Sequence, residues 1–123
     1  KTDIIEVMEA CVNGTLDQVD FGWYDKAAVC VVMASGGYPA SYAKGMEITG
    51  LADAAADKDV VVFHAGTKAD GAKVLTNGGR VLGVTAVDAN IKAARDRAYT
   101  AVEKINFNGA FCRKDIAWRA LKR

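Results

Sequence analysis

Hydrophobic and polar positions along the chain fall into segments of different period. Residues 27–34, AAVCVVMA, form an almost unbroken apolar run, and residues 60–66, VVVFHAG, form a second one rich in β-branched side chains. Runs of this length and composition predict strands, and the continuity of the first predicts burial on both its faces. Residues 46–51, MEITGL, predict a shorter strand, and the small, polar stretch 52–59, ADAAADKD, predicts a single helical turn or a loop. In residues 74–84, VLTNGGRVLGV, two apolar runs flank Asn77-Gly78-Gly79, with Arg80 directly after. Asn-Gly between apolar runs is the strongest short-range hairpin signal. The pattern therefore predicts strands at about 73–77 and 80–86 joined by a tight turn.

Elsewhere the period lengthens to that of a helix. Ile4, Val7, Met8 and Cys11 make one apolar face over residues 2–12, with Thr2 as cap, Asp3 near the positive end of the dipole, and Asn13-Gly14 as the stop. The following TLDQVDFGWYD shifts in composition and predicts a connector and a candidate boundary. Residues 89–105 predict the longest helix: Ile91, Ala94, Ala98, Val102 and Ile105 form its stripe, Lys92, Arg95, Asp96 and Glu103 face water, and Asp88 or Asn90 caps it. After Asn108-Gly109, residues 111–122 predict a short closing helix that starts at a solvated Arg113-Lys114-Asp115, with Asp115 at the positive dipole end. Strands mostly in succession, joined locally by turns, predict an α+β fold with a mainly antiparallel sheet and flanking helices.

Composition narrows the function classes. The chain has 123 residues, 51% hydrophobic and 25% charged, an ordinary globular mix that suits one domain. Sixteen basic residues against fifteen acidic ones leave a net charge of +1, which supplies no field for nucleic acid or an anionic membrane. No apolar run approaches the ~20 residues that span a bilayer, and Lys1-Thr2-Asp3 leads into no apolar leader segment. The missing initiator Met points to a fragment or a trimmed chain. Cys11, Cys30 and Cys112 make no CxxC and no metal spacing, so they are expected as buried or idle thiols of a reducing cytosol. With a single His, no metal site is expected.

The chain carries no GxxxxGK[ST] loop, no GxGxxG after a strand and no GxSxG elbow. His64 has no Ser or Cys beside it, and the carboxylates are scattered on presumed solvent faces, so no catalytic residue is assigned and the chain does not read as a self-contained enzyme. Trp23 and Trp118 are expected as core or interface anchors. What remains are three glycine-containing loops: Ser35-Gly36-Gly37-Tyr38-Pro39, His64-Ala65-Gly66-Thr67-Lys68 and Asn77-Gly78-Gly79-Arg80. Glycine lets a ligand approach the backbone and frees N–H groups for an anion, and Lys68 and Arg80 add charge. Taken singly, each loop reads first as a turn with solvated charges, because turns routinely use Gly and Asn.

Four phrases in order, VVMASGGYPASYAKGMEITGL, VFHAGTK, TNGGRVLGVTA and RAYTAVEKINFNGAFCRKDIAWRAL, resemble the C-terminal segment of the phosphoribosylamine–glycine ligases, or glycinamide ribonucleotide synthetases, of the ATP-grasp superfamily. The resemblance covers nearly the whole chain. It implies that residues 1–22 are the last helix and connector of an ATP-grasp region and that residues 23–123 are a C-terminal, substrate-side domain. It implies a cytoplasmic enzyme of purine synthesis that joins glycine to 5-phosphoribosylamine while ATP becomes ADP and phosphate. ATP and Mg or Mn would be held upstream of Lys1, so this segment binds no cofactor alone and is inactive in isolation. Its partners would be the upstream ATP-grasp and N-terminal domains and a phosphorylated ribose.

Related ATP-grasp enzymes of purine synthesis hold a ribose 5′-phosphate with basic side chains of the equivalent domain. That implies Arg80 as the grip, with Lys68, Thr67 and His64 of the neighbouring loop and the amides of Gly78 and Gly79. Gly36, Gly37 and Tyr38 would form a wall of the pocket, and Arg113 with Lys114 would come third. The chain departs from the family pattern at Ala117, where glycine is expected, and this bears on local helix packing. Two other readings remain open: a structural cover that closes the ATP-grasp cleft without touching substrate, and an independent phosphate-binding module.

Overall fold

The computed structural model describes residues 1–122. Its elements run α1 (Ile4–Asn13), β1 (Ala27–Ala34), α2 (Leu51–Ala55), β2 (Val60–His64), β3 (Thr67–Asp70), β4 (Lys73–Thr76), β5 (Arg80–Asp88), α3 (Ile91–Lys104) and β6 (Phe111–Cys112), with 3-10 turns at Leu16–Gln18 and Ala120–Lys122. The fold is α+β, and every strand pairing is antiparallel. The main sheet has the order β2-β5-β1-β6, while β3 and β4 form a separate two-stranded sheet. Antiparallel pairing agrees with the expectation from sequence. Local connection does not, because every neighbour in the main sheet is distant in sequence.

The hairpin lies elsewhere than Asn77-Gly78 suggested. β4 and β5 belong to different sheets, and β4 instead pairs with β3, a strand missing from the sequence reading, across a turn at Gly71. Gly71 takes the left-handed φ of 58° that a tight hairpin uses, whereas neither Gly78 nor Gly79 has a positive φ. The Asn-Gly-Gly stretch is a passage from one sheet to the other. Residues 46–51 are not a strand: only single bridges form, Glu47 to Leu75 and Thr49 to Asn106, and Leu51 already opens α2.

β1 spans the residues its apolar run predicted, but it is buried on one face only. Val29, Val31 and Met33 are buried, while Ala28, Cys30 and Val32 alternate with them on the open face. The covered face packs against α3, which meets the sheet through Ala94, Ala98, Ala101 and Val102. Small side chains along that stripe let the helix approach closely, and the core of Val31, Met33, Leu82, Val84, Ile105 and Phe107 closes around it. Of the two expected caps, Asn90 serves: its Oδ1 accepts the Ala93 N–H at 2.9 Å. Asp88 instead accepts from Arg97 Nε at 2.9 Å, and Arg97 also reaches Asp57 at 2.7 Å, so one guanidinium ties α3 to the end of β5 and to the loop before β2. The Asp59 N–H and then Arg97 hold the Asp57 carboxyl below its ordinary range, and the Ala89 N–H and then Arg97 do the same for Asp88.

At the N-terminus Asp3, not Thr2, caps α1, accepting the Ile5 N–H at 2.8 Å. Thr2 binds the connector, its hydroxyl accepting the Gly22 N–H at 2.7 Å and donating to the Asp20 carbonyl at 3.1 Å. Gly14 ends the helix with a φ of 68°, as Asn13-Gly14 predicted. The apolar face of α1 stays open, with Ile4 and Met8 exposed.

The closing helix does not form. Phe111–Cys112 pair with Ala34 and Met33 as β6, and Ala117 sits at a φ of 63°, a conformation that interrupts a helix. Asp115 pairs with Arg113 rather than capping. Of the two expectations for the thiols, buried or idle, burial fails: Cys11 and Cys30 are exposed and Cys112 is half-buried, all three free. Trp23 and Trp118 lie outside the core, 79% and 41% exposed, so the expectation of core anchors fails.

Candidate functional site

β2, β5 and β1 lie side by side and antiparallel, so the ends of β1 and β2 and the start of β5 fall at one end of the sheet. Each of the three glycine loops leaves or enters a strand there, and the sheet order brings all three together. Ser35 donates its N–H to the Gly79 carbonyl at 2.8 Å and its hydroxyl to the Gly78 carbonyl at 2.9 Å. From the other side Gly66 donates to the Arg80 carbonyl at 2.9 Å and accepts the Asn77 N–H at 2.7 Å. The Gly66 and Gly78 backbones cross so closely that a Cβ on Gly66 would lie 2.6 Å from Gly78 Cα. Gly79 sits under the Tyr38 ring, where any side chain would overlap it. These glycines are required by close approach and not by unusual dihedrals.

A β-bulge then aims Arg80. The β1–β5 register shifts between Met33 and Ala34, so that Met33 faces Leu82 while Ala34 faces Arg80. Strict alternation from the inward Leu82 would turn Arg80 inward; the extra residue, Val81, places it instead with Val32, Phe63 and Gly83 of the open face. There Arg80 lines a cavity of about 530 Å3 with Tyr38, Phe63, Gly66 and Gly79. It is the only charged residue of that lining. Its guanidinium has no carboxylate partner among the described residues. A second cavity of about 300 Å3 lies on its other side, walled by Tyr38, Pro39, Phe111, Ile116 and Arg113.

The remaining expected site residues are dispersed. Gly78 does not line the first cavity, and its carbonyl is held by Ser35. His64 Nδ1 meets Thr67 Oγ1 at 3.1 Å, and neither residue lines either cavity. Lys68 lies on β3 opposite Leu75 and lines neither. Gly36 abuts the Gly109 backbone, and Gly37, at a φ of 95°, abuts Ser41, so of that loop Tyr38 and Pro39 reach the cavities. Arg113 lines the second cavity, but Asp115 holds its guanidinium by two bonds of 3.0 and 2.7 Å. The hydrogen bonds to Asp115, then its charge, raise Arg113 above the ordinary arginine value, and the same pairing lowers Asp115. Phe63 and Gly83 were missed because their place on the open face depends on register. Ser35 was noticed only as part of a turn.

Chemically the cavity is a cation in an otherwise uncharged lining, beside backbone amides. It suits an anion, above all one that a guanidinium fork can grip. Its lining contains no carboxylate, thiol or imidazole that could act on a substrate. Among the described residues no group of three or more His, Cys, Asp or Glu side chains could hold a metal ion, and no helix is long and apolar enough to cross a membrane.

Residues 28–119, which include all three loops, match the family described as phosphoribosylglycinamide synthetase, C domain. The chain belongs to this family. It is 54% identical, over its full length, to the phosphoribosylamine–glycine ligase of Phenylobacterium zucineum, of which it spans 29%. It is 53% identical over 98% of its length to the protein of that name from Synechocystis sp., again spanning 29%. The solved structure of the Thermotoga maritima phosphoribosylamine–glycine ligase is similar to 72% of the chain with a TM-score of 0.62 and 39% identity, and the match covers 21% of that chain. The chain thus spans less than a third of the relatives it matches, and the remainder of those proteins consists of other parts of the same polypeptide.

Proposed function

We propose that the chain works as the substrate-side, C-terminal domain of a ligase that joins glycine to 5-phosphoribosylamine. Family membership and identities above 50% over the whole chain support the reaction. In it, the glycine carboxylate takes a phosphoryl group from ATP, releasing ADP. The amine of phosphoribosylamine then attacks the acyl phosphate, the new amide bond forms, and phosphate leaves. ATP and its Mg or Mn ion belong to the preceding ATP-grasp and N-terminal domains, and the whole acts in the cytoplasm. Residues 1–22 belong with those domains; α1 supports this, since it leaves Ile4 and Met8 exposed and lies before the matched residues 28–119.

Within this domain Arg80 grips the 5′-phosphate, the Gly79 amide joins it from the same wall, and Tyr38 borders the site. Lys68 adds positive charge from β3 without lining the cavity. The observation that carries the reading is an unpaired arginine, aimed by a bulge into a cavity where three glycine loops meet. In the full-length enzyme Arg80→Ala raises KM for phosphoribosylamine about 10–100-fold, the loss of a charge-assisted contact of ~1.5–3 kcal/mol. Arg80→Lys recovers part of it, because a point charge replaces a fork. An unchanged KM in Arg80→Ala overturns the assignment.

The open sheet face, where Val61 and Phe63 are 50% and 57% exposed, favours a second role as a cover against the ATP-grasp region. Titrating the chain with ribose 5-phosphate separates the two readings: saturable amide shifts confined to residues 66–68 and 78–80 support substrate contact, and their absence supports the cover alone.

A further inference from the structure

We infer that Ser35 is a positioning residue for the phosphate grip, a role that rests on the reading of Arg80 given above. Ser35 follows β1 immediately after the bulge and is 3% exposed. A buried hydroxyl needs a partner, and this one spends its proton on the Gly78 carbonyl at 2.9 Å. Its N–H takes the next carbonyl, that of Gly79, at 2.8 Å. Its own carbonyl accepts the Tyr38 N–H at 3.0 Å. All three polar groups of one residue therefore hold the two sides of the cavity: the Gly78-Gly79 turn that leads to Arg80, and the loop that sets Tyr38 over Gly79.

Peptide planarity converts this clamp into orientation. In a trans peptide the C=O and the N–H of the next residue point in opposite directions. Drawing the Gly78 and Gly79 carbonyls toward Ser35 turns the N–H groups of Gly79 and Arg80 away from it. The Gly79 N–H meets no protein acceptor among the described residues, so it is left for a ligand. The same two bonds set where the Arg80 backbone enters β5, and with it the stem of the guanidinium. An alanine at this position keeps the N–H bond, loses the hydroxyl bond and leaves the Gly78 carbonyl without its partner. The turn is then free to rotate about the peptide between Gly78 and Gly79.

The test is a double-mutant cycle in the full-length enzyme with Ser35→Ala, Arg80→Ala and the pair. Ser35→Ala is expected to raise KM for phosphoribosylamine about three- to tenfold, with KM for glycine and ATP within about twofold of the parent. In the Arg80→Ala background the same change adds less than about twofold, because the residue it positions is gone. Ser35→Cys keeps the shape and replaces a strong donor with a weak one; it gives the same KM split should the alanine variant not fold. If Arg80→Ala raises KM and Ser35→Ala does not, or if the two effects multiply, Ser35 has no positioning role and the phosphate assignment stands. If Arg80→Ala is silent, the phosphate assignment falls and this inference falls with it.

Discussion

Replacing Gly66 by alanine puts a methyl group where the chain crosses itself. The new Cβ would lie 2.6 Å from the Arg80 carbonyl oxygen, 2.6 Å from Gly78 Cα and 2.9 Å from Gly78 N. Comfortable contact begins near 3.5 Å, so the backbone of residues 78–80 must withdraw by about 1 Å. All three obstacles are backbone atoms, and the turn that carries them is already fastened to Ser35. No side chain can swing aside, so the strain falls on the turn. Overpacking of this kind costs about 1–3 kcal/mol, which lowers the urea midpoint by about 1 M at an ordinary denaturant slope. Functionally, a 1 Å displacement of a positioning group costs on the order of 100-fold, so KM for phosphoribosylamine is expected to rise by at least about tenfold. Gly71→Ala is the control. Its φ of 58° is itself unfavourable for alanine, but the space around it is open and it lies at the far end of the β3–β4 hairpin. It should lose about 1 kcal/mol of stability and leave KM unchanged. A Gly66→Ala protein with the parent's midpoint and the parent's KM refutes the argument that this crossing holds Arg80 in place.

Ala117 already occupies a left-handed conformation that disfavours L-residues, so Ala117→Gly should stabilise the chain by about 0.5–1 kcal/mol net of glycine's extra chain entropy, seen as a rise of about 2–5 °C in a melt followed by the adjacent Trp118. Asp57 and Asp88 both have folded-state pKa values below their ordinary 3.8, so their contribution is fully present above about pH 3.8 and is lost as the pH falls through the lower folded values. Arg97→Met removes one shared cause of both shifts; the thermal midpoint of that variant should therefore fall less steeply than the parent's below pH 3.8, and parallel pH profiles would count against the Arg97 clamp.

Local signals located the elements that local physics governs. The β-branched and apolar runs at 27–34 and 60–64 are strands because such side chains suit a pleated surface wherever they pack. The stripe Ala94, Ala98 and Val102, continued by Ile105 at the C-cap, runs along a helix whose one face meets the core, and Asn13-Gly14 stops α1 through a left-handed residue. The three glycine loops were also visible, as were Tyr38, Gly79 and Arg80 within them, because Gly, Pro and Asn mark turns by their own backbone preferences.

Pairing was not legible in the same way. Asn77-Gly78 carries the sequence of a hairpin turn, yet β4 finds its partner in β3, since neither glycine adopts the positive φ of such a turn and the chain must pass Gly66 to reach β5. The run at 111–122 carries helical spacing, yet Phe111–Cys112 gain more by joining the edge of β1, and Ala117 bends the rest. Which face of β1 is covered, whether Lys68 reaches the cavity, and that Asp115 occupies Arg113 all depend on register and on neighbours far away in the chain. From the amino-acid order alone came the fold class, the three glycine loops, the presence of an arginine beside a glycine pair, and a likeness to one family across nearly the whole length. Tertiary structure alone decided that the three loops meet, that a bulge opposite Met33 and Ala34 turns Arg80 to the open face, and that Ser35 holds the turn in front of it. The reason is physical: turn propensity is stored in a few adjacent residues, whereas the direction of a side chain at the end of a strand is set by hydrogen bonds to residues some forty positions away.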